Sequence, residues 1–273
     1  MPAIAEHYAA AAGPAPDAAD FLCVCIRVPK SGSESLTALV REGFQGRRIF
    51  YLPTTWHRDS AHSAFQRYRG FRSRAQNLFK HYRTISLDRA CEVIARNAAD
   101  GDVIDGGHID FRTVAGKIAR KLKMITILRE PEARILSDYN YARQGYLRKP
   151  LLNRFDAGVL HKAAARYDFE DYLDFLLDHR HLYGNWASVQ IGWDGKTDLR
   201  NYFRRHMFHA GVLEQRDRFA AELSEKLGRP LSFPHENRTQ AVKQKSVSAK
   251  ARAKIAQLYD RDMQLYAWVR DNL

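Results

Sequence analysis

Short apolar runs alternate with stretches of helical spacing along this chain. "FLCVCIRV" (21–28) is a continuous apolar run rich in β-forming residues, the pattern of a strand buried on both faces. Leu36, Leu39, Val40 and Phe44 then follow helical spacing and predict an amphipathic helix. "RIFYL" (48–52) predicts a second strand, and residues 54–83, polar and poorly periodic, read as helices and loops over the sheet. "LDRACEVIARNA" (87–98) is helical in spacing, "DVIDGGH" (102–108) a strand ending in a Gly pair, and "FRTVAGKIARKL" (111–122) a further helix. "MITILRE" (124–130) is a central strand, and Pro131, at the position where a helix tolerates proline best, opens a helix to about Arg143. Residues 145–205 are aromatic and His-rich, which suggests several helices in a lid-like insertion. "MFHAGVLE" (207–214) predicts the last strand, "RDRFAAELSEKLG" a helix stopped by Gly228, and 247–271 one long terminal helix. Strands alternating with helices predict an α/β fold with a central parallel sheet flanked by helices. Ligands of such sheets gather at the carboxyl ends of the strands.

Composition bounds the reading without changing it. The 273 residues, 45% hydrophobic, suffice for one large domain, expected over 21–273. Residues 1–20 are Ala- and Pro-rich without a basic segment, and are expected to form a disordered or loosely attached leader rather than a secretory signal. No apolar run approaches the roughly 20 residues of a membrane span. Cys23, Cys25 and Cys91 have no metal-ligand spacing; the first two, two apart on a strand, share a core-facing side. So sparse a cysteine count fits a reducing cytoplasm.

Charge alters the picture. Lys+Arg 44 against Asp+Glu 31 leaves a net +13. From Arg27 to Arg83, 12 basic residues face 3 acids (Glu34, Glu42, Asp59), a net of +9. Such a surface attracts an anionic partner: nucleic acid, acidic membrane, acidic polysaccharide or nucleotide. Solvated arginines on a basic protein are the plain alternative.

Three stretches at strand ends carry candidate chemistry. Pro29-Lys30-Ser31-Gly32-Ser33-Glu34-Ser35 joins the first strand to a helix. Backbone N–H groups at a helix start suit phosphate, Gly32 permits close approach, the serines add hydroxyls and Lys30 a mobile cation. The lysine precedes the glycine, unlike the order of an ATP-binding loop. An ordinary helix start would also be written this way. In "LREPEARILSDYNYAR" (128–143), Arg129 closes a strand and Ser137 lies on the following helix, where it shares a face with Arg134. Arg129 and Ser137 are candidates to converge on a second phosphate. "GGHIDF" (106–111) places His108 at a strand end, where an imidazole could take a proton from a hydroxyl; a lone histidine is more often structural.

In this order the three stretches resemble the sulfotransferases that use 3′-phosphoadenosine 5′-phosphosulfate (PAPS). The nearer likeness is to the carbohydrate branch around heparan sulfate 2-O-sulfotransferase and its bacterial relatives. "RVPKSGSESLT" resembles their 5′-phosphosulfate loop, "GGHIDF" their GH strand end and "LREPEARILSDYNYAR" their LRDPxxRxxSxYxY segment. "GVLEQRDRFAAEL" and "NRTQAVKQKSVSAKARAKIAQLYDRDMQLY" resemble the last strand, helix, basic loop and terminal helix. The likeness covers 21–40, 100–143 and 207–270, and fades across 51–85 and 145–205.

The resemblance implies a P-loop-nucleotide-hydrolase-like sulfotransferase fold and transfer of sulfate from PAPS to a hydroxyl, most simply of a saccharide or acidic glycan, with PAP as product and no metal. Lys30 would stabilise the leaving oxygen, and Ser31, Gly32, Ser33, Glu34 and Ser35 would cradle the 5′ end. Arg129 and Ser137 would hold the 3′-phosphate, Lys243 and Lys245 would close over the nucleotide, and His108 would be the general base. His57, Arg58, Arg143 and the 145–205 insertion would shape the acceptor site. Glu34 stands where relatives usually carry Thr or Ser. It is expected to point away and pair with an arginine such as Arg27 or Arg134; otherwise it weakens PAPS binding. The expected partners are a nucleotide co-substrate and a hydroxyl acceptor, without nucleic acid or a membrane span, in a monomer or homo-oligomer. The rival readings are a nucleotide kinase, a nucleic-acid binder using the Arg/aromatic stretch 56–83, and a non-catalytic nucleotide-binding protein of sulfotransferase-like fold.

Overall fold

The computed structural model describes residues 20–52, 87–155, 157–234 and 247–273. The leader to residue 19, the stretch 56–83 with His57 and Arg58, and Lys243 and Lys245 lie outside the described residues.

The apolar runs form strands β1 (Leu22–Cys25), β2 (Ile49–Tyr51), β3 (Val103–Asp105), β4 (Leu122–Leu128) and β5 (Met207–Val212). All pair in parallel, in the order β2-β3-β1-β4-β5, with Cys23 opposite Val103 and Lys123 on its two neighbours. The central strands β1 and β4 are buried on both faces, so their sequences read as unbroken apolar runs rather than alternating ones, whereas the edge strand β2 leaves Tyr51 exposed. On one face Val24, Ile104, Met124 and Val212 pack against helices. On the other, Cys23, Cys25, Ile125 and Ile127 meet Leu36, Leu39, Phe219 and Leu223. The two cysteines share that face, as their spacing predicts.

Helices α1 (Ser33–Gly43), α2 (Leu87–Asn97), α3 (Phe111–Lys117) and α4 (Pro131–Leu147) follow β1, β2, β3 and β4 in chain order. The segment 145–205 then supplies short helices α5 (Leu151–Arg154), α6 (Val159–Arg166), α7 (Phe169–Asp178), α8 (Arg180–Tyr183), α9 (Trp186–Ile191) and α10 (Leu199–His206). After β5 come α11 (Arg216–Leu227), α12 (Ala249–Leu258) and α13 (Asp260–Asn272). α11 ends on Gly228 at φ 64°, the left-handed stop its sequence predicts.

Three elements depart from expectation. α3 stops at Lys117 because buried Ile118 turns extended (φ −114°, ψ 103°), freeing Leu122 to open β4. α4 continues past Arg143 to Leu147, burying Ile135, Tyr139 and Ala142 against α6, α7 and α12. The single terminal helix is two helices, broken at Tyr259 (φ −126°, ψ 35°). The break serves buried contacts. The Tyr259 ring lies 4.6 Å from the Arg134 guanidinium, and the Asp262 carboxylate accepts from the N–H groups of Ala187 and Ser188 and the Ser188 hydroxyl.

The chain leaves β1 toward β2 on one side of the sheet and leaves β4 toward β5 on the other. β1 and β4 are neighbours, so the connections diverge between their carboxyl ends and open a crevice there. Lys30 follows one of these strands and Arg129 the other.

Candidate active site

The loop after β1 curls because two of its residues are left-handed. Lys30 has φ 65° and Gly32 φ 75°. For lysine this conformation costs about 1–2 kcal/mol, strain of the kind that gathers at functional sites. Gly32 is required twice over: its φ is left-handed, and a Cβ there would lie 2.8 Å from Leu213 Cδ1. Turned this way, the loop runs into the N-terminus of α1, where unpaired N–H groups carry positive potential. Ser31 is fully buried and its Oγ has no hydrogen-bond partner among the described residues. A buried hydroxyl without a partner is costly unless a ligand meets it, which fits a loop built to receive an anion.

Lys30 and Arg129 come together across the crevice: Arg129 Nη1 donates to the Lys30 carbonyl oxygen at 3.1 Å. That bond ties the end of β4 to the loop after β1. Burial lowers the pKa of both cations; Asp138 and Glu34 oppose the effect at Lys30, as Glu214 and Glu130 do at Arg129. The Lys30 ammonium rests 3.9 Å from the centre of the Tyr141 ring, a cation–π contact. Asp138 and Tyr141, three apart on α4, therefore both act on Lys30. Neither stands out in the sequence, although both lie in the "SDYNYAR" run and the i, i+3 spacing is its only signal. Ser137, partly exposed, sits on the same helix, whose start is capped by Glu130 accepting from Glu132 and Ala133 N–H.

Arg134 does not share Ser137's setting. It is 4% exposed, faces Asp262 at 3.7 Å and lies over Tyr259, so it locks α4 to α13 rather than reaching a ligand. Neither arginine expected beside Glu34 is held for it: Arg27 pairs with Asp105 at 3.2 Å and Arg134 with Asp262. Glu34 is exposed in the first turn of α1, where an acid suits the helix dipole, and its charge supports that of Lys30. Arg143 donates to the Tyr139 hydroxyl at 2.6 Å and reaches the Tyr167 carbonyl, so it braces α4 against the α6–α7 turn.

His108 is brought to the β1 end by a two-way clasp. The Arg27 N–H donates to Gly107 O at 2.9 Å, and His108 Nδ1 lies 2.7 Å from Arg27 O. Gly107 makes the turn at φ 56°. A carbonyl can only accept, so Nδ1 carries the proton and Nε2 keeps its lone pair. Burial pushes the His108 pKa below the ordinary histidine value, against the Arg27 carbonyl bond, so the ring is neutral at pH 7. Gln190, 4% exposed and unremarkable in the sequence, donates from Nε2 to the His108 carbonyl at 2.9 Å. It holds the backbone of the clasp from α9. The crevice thus joins a strained cationic loop, a tethered guanidinium and a neutral imidazole with one fixed tautomer: groups able to bind an anion and to accept a proton.

Residues 24–260 match the sulfotransferase domain family. This chain belongs to the sulfotransferase family. No match was found among the curated proteins. The five-stranded parallel sheet flanked by helices agrees with the sulfotransferase fold. As a family member the protein is a sulfuryl transferase with a nucleotide co-substrate and an acceptor. Among the described residues, no group of three or more His, Cys, Asp or Glu is placed to hold a metal, and no helix is long and apolar enough to cross a membrane.

Proposed function

We propose that this sulfotransferase uses PAPS and moves its sulfuryl group to a hydroxyl of a saccharide, most simply one bearing acidic groups. The observation that carries the reading is that Arg129 is bonded to the backbone of Lys30 and His108 to that of Arg27, all at the carboxyl ends of the neighbouring strands β3, β1 and β4. The unpartnered Ser31 hydroxyl and the left-handed Gly32 support a fit to the 5′-phosphosulfate end. PAPS supplies the activated sulfuryl group. Backbone N–H groups of Gly32, Ser33, Glu34 and Ser35 bind the 5′ end, with the Ser31 hydroxyl, since the Ser31 N–H already donates to Val28 O; Ser35, buried, contributes through its backbone. Arg129 and Ser137 bind the 3′-phosphate, and Lys243 and Lys245 cover the nucleotide. Lys30 leaves Tyr141 to neutralise charge gathering on the leaving oxygen, and His108 Nε2 takes the acceptor proton. Positioning and charge stabilisation then carry most of the rate, as in phosphoryl transfer.

Residues 21–273 act as one sulfotransferase domain in this reading, with 145–205 forming the acceptor wall. The three buried free cysteines support a reducing, cytoplasmic setting. Net positive charge supports an acidic glycan over a neutral phenol. Transfer of labelled sulfate from PAPS to a panel of glycans tests the proposal. Lys30→Ala and His108→Ala should keep the fold and each lower kcat by about 100-fold or more. Undiminished transfer by His108→Ala would assign the base elsewhere.

A further inference from the structure

Away from the Lys30 loop, a cavity of about 550 Å³ opens between α3 and α10. Arg112 and Arg205 line it, with Thr197 and Asn201 beside them, and no Asp or Glu is among its described lining residues. Arg112 is preorganised: its Nε donates to Gly192 O at 2.7 Å, which leaves the two Nη groups for other partners. Asn201 Oδ1 accepts from Arg204 at 3.2 Å, which leaves the amide N–H groups to donate. Asp194 acts on Arg112 electrostatically, but its oxygens already accept from the N–H groups of Lys196 and Thr197 and from the Thr197 hydroxyl. His206, facing Phe111 and Tyr202, has its pKa lowered by burial and by Arg205 and Lys123.

The cavity connects to the catalytic edge through the backbone. Gln190 holds the His108 carbonyl, and two residues on, Gly192 O receives Arg112, itself four residues after His108. The donors are guanidinium and amide groups, suited to carboxylate or sulfate oxygens and to sugar hydroxyls, since the Thr197 and Tyr202 hydroxyls already donate to Asp194 and to Ile191 O. The aromatic rings do not offer a platform for bases: Phe111 and Tyr202 are buried, and both pack on His206.

We infer that the α3–α10 groove is a second subsite, binding a carboxylate or sulfate group on a distal sugar of an acidic saccharide. This deepens the saccharide-acceptor reading above: the chain would be held at a distance from the hydroxyl that reacts, and Arg112 and Arg205 would select acidic chains.

The test is calorimetry on the full chain without nucleotide, using a sulfated uronate-containing hexasaccharide, its unsulfated parent and an RNA hexamer. The subsite predicts binding of at least one saccharide, weakened about tenfold by Arg112→Ala with Arg205→Ala, the loss expected for two exposed charge contacts. Comparison of the two saccharides distinguishes sulfate from carboxylate as the anchoring group. Arg205→Glu, at an exposed position that leaves the Gly192 tether intact, should weaken binding at least as much as Arg205→Ala. PAP affinity, measured separately, should be the same in wild type and double variant, so failure of the PAPS reading registers in a different titration. No saccharide binding, equal affinity in the double variant, or preference for RNA overturns the inference.

Discussion

At the scale of residues, the site stores strain in one place and fixes a proton in another. Lys30 occupies a left-handed conformation that an L side chain resists. Lys30→Gly and Lys30→Ala remove the same ammonium and the same Tyr141 contact, so their difference isolates the backbone. Lys30→Gly should be the more stable by about 1 kcal/mol in urea unfolding, with the same loss of transfer, about 100-fold or more, in both variants. His108 makes a pH prediction whose sign follows from its environment. Burial lowers its pKa, so the neutral, proton-accepting ring persists below the ordinary histidine value of about 6.5. The acid limb of kcat/KM should therefore fall below that pH, not at or above it. A limb displaced upward would place the titrating group elsewhere.

At the scale of elements, the buried Asp262 joins three helices. Its carboxylate accepts from Ala187 and Ser188 on α9, sits on α13 and faces Arg134 of α4. Asp262→Ala would leave a buried guanidinium and three donors unmatched, and should cost about 3–5 kcal/mol in urea unfolding. A loss under 1 kcal/mol would mean the network is not closed in solution. This network also marks where sequence reading stopped. Periodicity reports the face of an element, not its distant partner. Pro131 and Gly228 announced their helix ends because local backbone chemistry decides them, and the apolar runs announced the strands. The Tyr259 break answers to Arg134 and Ser188, far away in the chain, so 247–271 looked like one helix. For the same reason Arg134 looked available to Glu34, because its partners Asp262 and Tyr259 lie far along the chain.

At the scale of the whole molecule, the strand order does the assembling. Parallel strands bring the loops that follow β1, β3 and β4 to one edge, and the divergence between β1 and β4 sets Lys30 beside Arg129. The positions of Lys30, Arg129 and His108 were legible because motif and strand end coincide in the sequence. Gln190, Asp138 and Tyr141 were not, since their roles arise only from α9 and α4 packing onto that edge. On the proposed function, this edge holds a 3′-phosphorylated adenosine nucleotide. Calorimetry with PAP against ATP tests it most directly. PAP should bind more tightly than ATP, and Arg129→Ala should lose that preference, because a guanidinium pair with a phosphate is removed. Equal or tighter binding of ATP, or a preference unchanged by Arg129→Ala, would contradict it.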